Sequence, residues 1–235
     1  MLALVPPEAL AASQPARAKM TYEQGYNLAA FRAVGALWGL LDKLRAGASI
    51  IRAIPANQAL VKEVGYKTLL EHSRSLHRLF MASAIDVALR LVAAVWDLGV
   101  RERDISPAII LKNQRCTSEV KRALKALDQI SDRHRFERNR IAHEGGSPNL
   151  EEAEMLPLFE FVLRSGNAEA IPENVYHDGF ADVASTIARQ IDEDVAELEK
   201  AAQQLLSALE PEYANELVVA KLKRAVFSFE PKKKS

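Results

Sequence analysis

Apolar residues recur every three or four positions over long stretches of this chain, which is the spacing of one face of an α-helix. Strand-like alternation competes nowhere with this pattern. Alanine and leucine, both good helix formers, supply 37 and 29 of the 235 residues. The sequence therefore predicts an all-α fold, an up-and-down bundle of about five to six helices. The clearest apolar face comprises Phe180, Val183, Ile187, Ile191, Val195, Leu198, Leu205 and Leu209.

Glycine and proline divide the chain between these periodic stretches. Gly47 and Pro211 are expected to end helices, and Gly35 and Gly39 indicate close contact between the first helix and a neighbour. We expect residues 1–20 to form a flexible arm, 21–230 a single helical domain and 231–235 a basic tail. The predicted segments are 21–46, a short piece at 57–65, a long central helix at 67–98, and helices at 118–144, 149–164, 178–209 and 212–229.

Charge and cysteine content exclude several classes of protein. The 31 Lys and Arg residues balance the 31 Asp and Glu residues, so any contact with nucleic acid must come from a local patch. The single cysteine, Cys116, forms no intramolecular disulfide, which favours a reducing cytoplasm. The apolar run Leu91–Trp96 is far too short to span a bilayer, so we expect no membrane insertion.

Metal and cofactor sites are not predicted either. His72 and His77 are five residues apart, which is the wrong spacing for a same-face metal pair on a helix. The acidic run that includes Asp194 is interpreted as a solvated helix face. No glycine-rich phosphate loop or serine nucleophile elbow occurs, so we expect no cofactor and no metal.

One segment departs from the general pattern, because basic residues concentrate toward the end of the helix at 118–144. Residues 112–144 contain nine Lys or Arg and five Asp or Glu. On a helical wheel Arg138 falls on the apolar stripe near Leu127 and His134. A guanidinium there needs an anion or a partner chain to compensate its lost hydration. The alternative is a basic helix end that complements the helix dipole, with Arg138 paired to Glu137 or Asp132.

The run Arg138-Asn139-Arg140-Ile141-Ala142-His143 resembles the signature of the HEPN superfamily, in which an arginine and a polar residue precede a histidine. HEPN domains are all-helical bundles that carry this motif near the end of a helix. Many are metal-independent ribonucleases or components of toxin–antitoxin and defence systems. The resemblance implies a HEPN-like core at about 67–210, an RNA substrate, and compatibility with an antitoxin partner.

The resemblance also implies roles for individual residues. His143 is the expected general acid or base, since an imidazole exchanges protons near neutral pH. Arg138 is expected to stabilise the phosphorane, although Arg140 could be the phosphate contact instead. Arg74, His77 and Arg78 share a helix face that either extends an RNA-binding surface or is simply solvated. The predicted substrate-binding residues are Asn139, Arg140, His134, Arg74 and Arg78.

The spacing of the motif and the HEPN resemblance together predict a dimer. Residues five apart on a helix are rotated by about 140° and separated by about 7.5 Å of rise, so Arg138 and His143 do not share a face. Either the helix unwinds before Gly145, or two copies meet so that each contributes an arginine and a histidine to a shared cleft. HEPN ribonucleases are generally built in the second way, so the resemblance implies a homodimer. The alternatives are that His143 caps its helix, and that the protein is a non-catalytic RNA-binding module or helical scaffold.

Overall fold

The computed structural model describes residues 20–144 and 173–227. These ranges contain α-helices, one short 3-10 helix and no strand, which confirms the predicted all-α bundle. None of their helices combines the length and the apolar character needed to cross a membrane. The helices are α1 (Tyr22–Ala53), α2 (Gln58–Val64), α3 (Tyr66–Ala82), α4 (Ala84–Val95), the 3-10 helix (Glu102–Asp104), α5 (Pro107–Leu111), α6 (Ser118–Glu144) and α7 (Glu173–Phe227).

The chain divides into two compact units. The first comprises Met1–Trp38, Ile85–Leu127 and Ala201–Ser235, and the second comprises Gly39–Ala84 and Asp128–Lys200. Helices α1, α6 and α7 each contribute residues to both units. The single domain predicted for 21–230 stays a prediction, and the predicted arm (up to residue 19), the helix at 149–164 and the basic tail lie outside the described residues.

Helix α1 differs from the sequence prediction in two respects. It continues through Gly47 to Ala53, because Ala48 and Ile51 are fully buried. Their packing outweighs the roughly 1 kcal/mol by which a glycine disfavours a helix. The close contact predicted at Gly35 and Gly39 is not found among the described residues, since a Cβ atom added at either position meets none of their atoms within 4 Å.

The predicted central helix at 67–98 is two helices that break at Ser83. The Ser83 hydroxyl donates to the Phe80 carbonyl at 2.8 Å, and the Ser83 amide donates to the same carbonyl at 3.1 Å. A serine that bonds to the preceding turn competes with regular helix hydrogen bonds. The apolar spacing continues on both sides of the break, so periodicity alone predicts one helix.

The predicted helix end at Pro211 is also wrong, because α7 continues to Phe227. Proline removes one backbone hydrogen bond and crowds the preceding turn, but contacts within the first unit hold the helix beyond it. The Tyr213 hydroxyl donates to Asn27 Oδ1 at 2.6 Å. Arg115 Nη1 lies 2.6 Å from Glu216 Oε1. These tertiary contacts outweigh the local preference of the proline.

Candidate functional site

Two regions of interest include residues of helix α6. The helix begins after Thr117, whose hydroxyl accepts a hydrogen bond from the Val120 amide at 3.3 Å, and it is helical as far as Glu144, the last described residue before 173. We name the HEPN-like run at 138–143 the motif. We name a second group of side chains, which lies in the second unit, the buried polar network. Its members are Arg78 and His77 on α3, His134 and Glu137 on α6, and Asp194 on α7.

Helical spacing places two polar residues of α3 inside the second unit. Tyr66, Leu70, Arg74, His77 and Met81 are its buried residues at intervals of three and four. The interpretation of this face as solvated is therefore wrong. The Arg74 guanidinium donates to Gln190 Oε1 on α7 at 2.8 Å, so it is engaged within the bundle.

Asp194 joins two histidines in the network. His77 Nε2 lies 2.9 Å from Asp194 Oδ2, and His134 Nε2 lies 3.7 Å from the same oxygen. The two rings meet edge to face, with centroids 5.5 Å apart. His77 is 3% exposed and His134 is 2% exposed. Asp194, interpreted from sequence as part of a solvated face, is thus a partner of two buried imidazoles.

Arg78 contacts two residues of α6 that are one turn apart. Its Nη1 lies 2.6 Å from His134 Nδ1, and its Nε lies 2.7 Å from Glu137 Oε2. The second contact is close but poorly aligned for a hydrogen bond, so we describe it as an ion pair. Because a guanidinium only donates, His134 Nδ1 must accept, which places the ring proton on Nε2, facing Asp194.

Burial and the neighbouring charges set the protonation of the network. Burial lowers the pKa of His77, and the hydrogen bond to Asp194 only partly opposes this. Burial also lowers the pKa of His134 well below its usual range, and Arg78 lowers it further. Burial raises the pKa of Asp194, but the hydrogen bond from His77 and the nearby cationic groups outweigh it, so its pKa is lowered. Both histidines are therefore neutral near pH 7, and Asp194 is ionised.

Two imidazoles and a carboxylate are a donor set suited to zinc, and one ligating atom from each of His77, His134 and Asp194 lies within 4.8 Å of the others. A histidine that binds a metal normally donates its second N–H to an acceptor. His134 Nδ1 instead faces the Arg78 guanidinium, which accepts nothing. The Arg74 charge also acts on His77. This arrangement favours a neutral hydrogen-bonded network over a cation site.

The motif lies at the C-terminal end of α6. Arg138 and Arg140 are half-buried, whereas Asn139 and His143 are exposed. The helix stays regular to Glu144, so the expected unwinding before Gly145 is wrong for residues up to 144. Arg138 and His143 form no hydrogen bond or ion pair with the part of the chain that the structure describes.

Two alternative interpretations of the motif are not supported. Glu137 pairs with Arg78, and Asp132 pairs with Arg135 at 3.0 Å, so neither neutralises Arg138. Over the ranges 20–144 and 173–227, His143 donates to no carbonyl, so it does not cap α6 there.

The predicted substrate-binding residues separate into two groups. Asn139 and Arg140 lie in the motif, whereas His134, Arg74 and Arg78 lie inside the second unit. RNA contact by the second group stays a prediction, and the burial of His134 and Arg74 does not favour it. The sequence carried a signal for this placement, because His134 and Arg74 both continue apolar stripes at helical spacing.

An exposed aromatic residue on α6 was missed from sequence. Phe136 is 78% exposed, the highest value among the large exposed apolar residues of the described chain. It precedes Arg140 by four residues and His143 by seven, so the three side chains share a helix face. The sequence could have indicated this, because Phe136 does not fall on the apolar face of α6 that the helical spacing predicts.

Comparison with known proteins adds no further assignment. No family model matches the chain, and neither a curated protein nor a solved structure matches it. The HEPN resemblance therefore rests on the motif, its position at the end of a helix, and the all-α fold.

Proposed function

We propose that this protein is a metal-independent endoribonuclease of the HEPN type, acting in a toxin or defence role on RNA phosphodiesters. The observation that carries the proposal is the state of the motif. Arg138 and His143 extend from the last turns of a regular helix and are not engaged by the described residues. Functional groups without a structural partner at such a position are available to a substrate.

The two side chains supply complementary chemistry. His143 removes the proton from a ribose 2′-hydroxyl, whose oxygen attacks the adjacent phosphorus. The bond from phosphorus to the 5′-oxygen breaks, and that oxygen leaves with the proton that the His143 imidazolium formed in the first step returns to it. The products are a 2′,3′-cyclic phosphate and a 5′-hydroxyl. Arg138 binds two phosphoryl oxygens and stabilises the charge that develops on them, which is commonly worth about 3 kcal/mol.

A second copy of the chain completes this site in our proposal. Because α6 is regular to Glu144, Arg138 and His143 of one chain are separated by about 140° and about 7.5 Å of rise. A cleft between two α6 helices supplies both groups to one phosphate, Arg138 from one copy and His143 from the other. The twofold symmetry of a homodimer produces that juxtaposition twice.

Exposed groups near the motif suit single-stranded RNA. Phe136 offers an open ring on the His143 face, and aromatic rings stack with unpaired bases. Asn139 is exposed between the motif arginines and can orient a phosphate or a base edge. These groups support RNA as the substrate class.

The direct test is cleavage of a labelled structured RNA in excess EDTA. We expect wild type to produce fragments with cyclic phosphate ends, and His143→Ala or Arg138→Ala to reduce the rate at least about 100-fold. Matched controls are His72→Ala and Arg122→Ala, which remove exposed side chains of the same types outside the motif. Cleavage that survives both motif changes, or that is lost equally in the controls, would contradict the mechanism.

A mixing experiment tests the composite site. When Arg138→Ala and His143→Ala chains are combined, half of the dimers are mixed, and each mixed dimer has one intact pair of the two. We therefore expect the mixture to recover roughly a quarter of wild-type activity. No recovery, with subunit exchange verified by mass, would assign both groups to one chain.

RNA binding without turnover is the second candidate, and one observation favours it. The motif groups of a single chain do not share a face, so an isolated chain holds RNA without assembling the reactive geometry. This candidate predicts salt-dependent RNA binding by wild type with no cleavage at any protein concentration.

A further inference from the structure

We infer that Arg78 is a positioning residue for the proposed ribonuclease site, because its guanidinium joins His134 and Glu137 and thereby sets the rotation of the α6 turn that carries Arg138. This inference rests on the proposed function for its catalytic consequence. Its structural part, the restraint on α6, stands on contacts within the second unit.

The two contacts restrain α6 in both rotation and translation. Arg78 reaches His134 Nδ1 through Nη1 and Glu137 Oε2 through Nε, at 2.6 and 2.7 Å. These residues are three apart, so they are neighbours on one helix face about 4.5 Å apart along the axis. A planar guanidinium is a rigid group, and here it makes a hydrogen bond to His134 and an ion pair with Glu137, so rotating or shifting α6 would lengthen at least one of the two contacts.

The restrained turn leads directly into the motif. Glu137 is adjacent to Arg138 in sequence, and each residue of a helix is rotated about 100° from the one before. Fixing the direction of Glu137 therefore fixes the direction of Arg138. His143 lies six residues after Glu137, about 9 Å further along the same helix. A small rotation of α6 would move both motif groups away from a phosphate held between two copies.

The remaining contacts of the network support the same restraint. His134 is held between Arg78 and Asp194, and Asp194 belongs to α7 and also binds His77 on α3. Helices α3 and α7 thus both contact this imidazole of α6, α3 through a hydrogen bond at Nδ1 and α7 through a carboxylate 3.7 Å from Nε2. Arg78 itself is only 17% exposed, and its guanidinium is occupied by two partners. It is better placed to orient α6 than to bind RNA from solvent.

The two roles of Arg78 predict different kinetics for Arg78→Lys. Lysine keeps the charge but is a single point donor that cannot satisfy both partners in the same geometry. A positioning role predicts a roughly tenfold to hundredfold loss of kcat with KM unchanged, because misplaced groups fail in the reaction step. A phosphate contact predicts nearly normal activity for lysine. It also predicts that Arg78→Gln raises KM and lowers the slope of log affinity against log salt by about 0.7.

Two variants distinguish positioning from general stabilisation. Glu137→Gln removes the second partner and is expected to lower kcat to a similar extent, and the double variant Arg78→Lys with Glu137→Gln is expected to lose little more. Assays are made well below the unfolding temperature of every variant. Arg122→Lys, on an exposed part of α6, is the control and is expected to leave kcat unchanged. Additive losses in the double variant would contradict a shared restraint.

Amide hydrogen exchange tests the inference without RNA. In Arg78→Gln we expect faster exchange at residues 138–144, while the exchange of α6 residues 120–127 stays at the wild-type rate. Unchanged exchange at 138–144 overturns the inference whether or not wild type cleaves RNA. Faster exchange together with no cleavage by wild type upholds the restraint and rejects the proposed function. Faster exchange with a raised KM and normal kcat rejects the positioning role.

Discussion

Two adjacent stretches of α6 use similar residues in opposite ways. Residues 131–137 include His134 and Glu137, which are engaged with other helices inside the second unit. Residues 138–143 include Arg138 and His143, which have no hydrogen bond or ion pair within the described ranges. Both stretches combine arginine and histidine on one continuous helix. Residue type therefore does not distinguish His134 and Glu137 from Arg138 and His143, whereas contact with other helices does.

Because of this difference, we expect substitutions in the two stretches to have different effects on stability and on activity. A polar group that is buried among partners costs stability when one partner is removed, because the others lose hydration without compensation. Removing a side chain without partners changes the free energy of unfolding little, so any role of that side chain is detected only by measuring activity or binding. Variants in the two stretches should separate cleanly in stability measurements.

The largest expected effect on stability is that of Asp194→Asn. The change removes the negative charge that lies beside His77 and His134 and that partly offsets the charge of Arg78. We expect the free energy of unfolding to fall by about 3 kcal/mol, measured by urea denaturation. Asp192→Asn is the matched control, since Asp192 forms an exposed ion pair with Arg52 and is expected to cost about 0.5 kcal/mol. Equal losses in the two variants would remove the distinction between buried and exposed contacts.

The pH dependence of stability is the next expected effect. The folded pKa values of His77 and His134 are lowered, so the unfolded chain binds protons more readily. The contribution of the two histidines to the free energy of unfolding is therefore fully present above the unfolded histidine pKa of about 6.5. It is lost as the pH falls below that value, by up to about 1.4 kcal/mol per pH unit for each histidine. Asp194, whose pKa is also lowered, adds a loss only below about pH 4. The charged groups that act on the histidines are Arg74, Arg78, Arg133 and Asp194, and Glu137 pairs with Arg78.

Urea denaturation between pH 7.5 and 4.5 measures this loss. The variant His134→Gln should flatten the curve, because an uncharged amide takes no proton in this range. His143→Ala should leave the slope as in wild type. A slope that is unchanged in His134→Gln would show that the acid sensitivity arises elsewhere.

Phe136 tests whether an exposed side chain of α6 contributes to RNA affinity without contributing to stability. Phe136→Ala is expected to change the free energy of unfolding by less than about 0.5 kcal/mol, because the ring is largely in solvent. Its affinity for a single-stranded RNA should fall by roughly 1 to 3 kcal/mol if the ring stacks on a base. Fluorescence anisotropy with Phe136→Trp and Phe136→Leu separates stacking from simple apolar contact, since only tryptophan restores an aromatic face. Dissociation of the dimer in Phe136→Ala would assign the ring to the contact between copies.

The smallest expected effect lies outside both stretches of α6. A Cβ atom added at Gly35 meets nothing within 4 Å in the interior of α1. Gly35→Ala should therefore raise the free energy of unfolding by about 0.5 to 1 kcal/mol through helix propensity alone. Thermal unfolding measures the gain, and RNA cleavage should be unaffected. A loss of stability would point to a contact of Gly35 beyond the described residues.

Much of the fold is encoded locally. The start of α6 at Ser118 agrees with the prediction, and the Thr117 side chain caps the helix there. The prediction failed at Gly47 and Pro211, where packing or contacts distant in sequence outweigh a local preference, and at Ser83, where a side-chain hydrogen bond interrupts an unbroken apolar pattern.

The all-α fold and the motif are apparent from the sequence alone, because helical periodicity and a short run of residues are local properties. Which polar residues are partners depends on how the helices pack. His77, His134 and Asp194 lie 57 and 60 residues apart along the chain and meet because α3, α6 and α7 pack together. Local sequence patterns do not predict which helix faces pack against each other, so Asp194 was predicted to lie on a solvated face. The tertiary structure shows that it is held by two buried imidazoles.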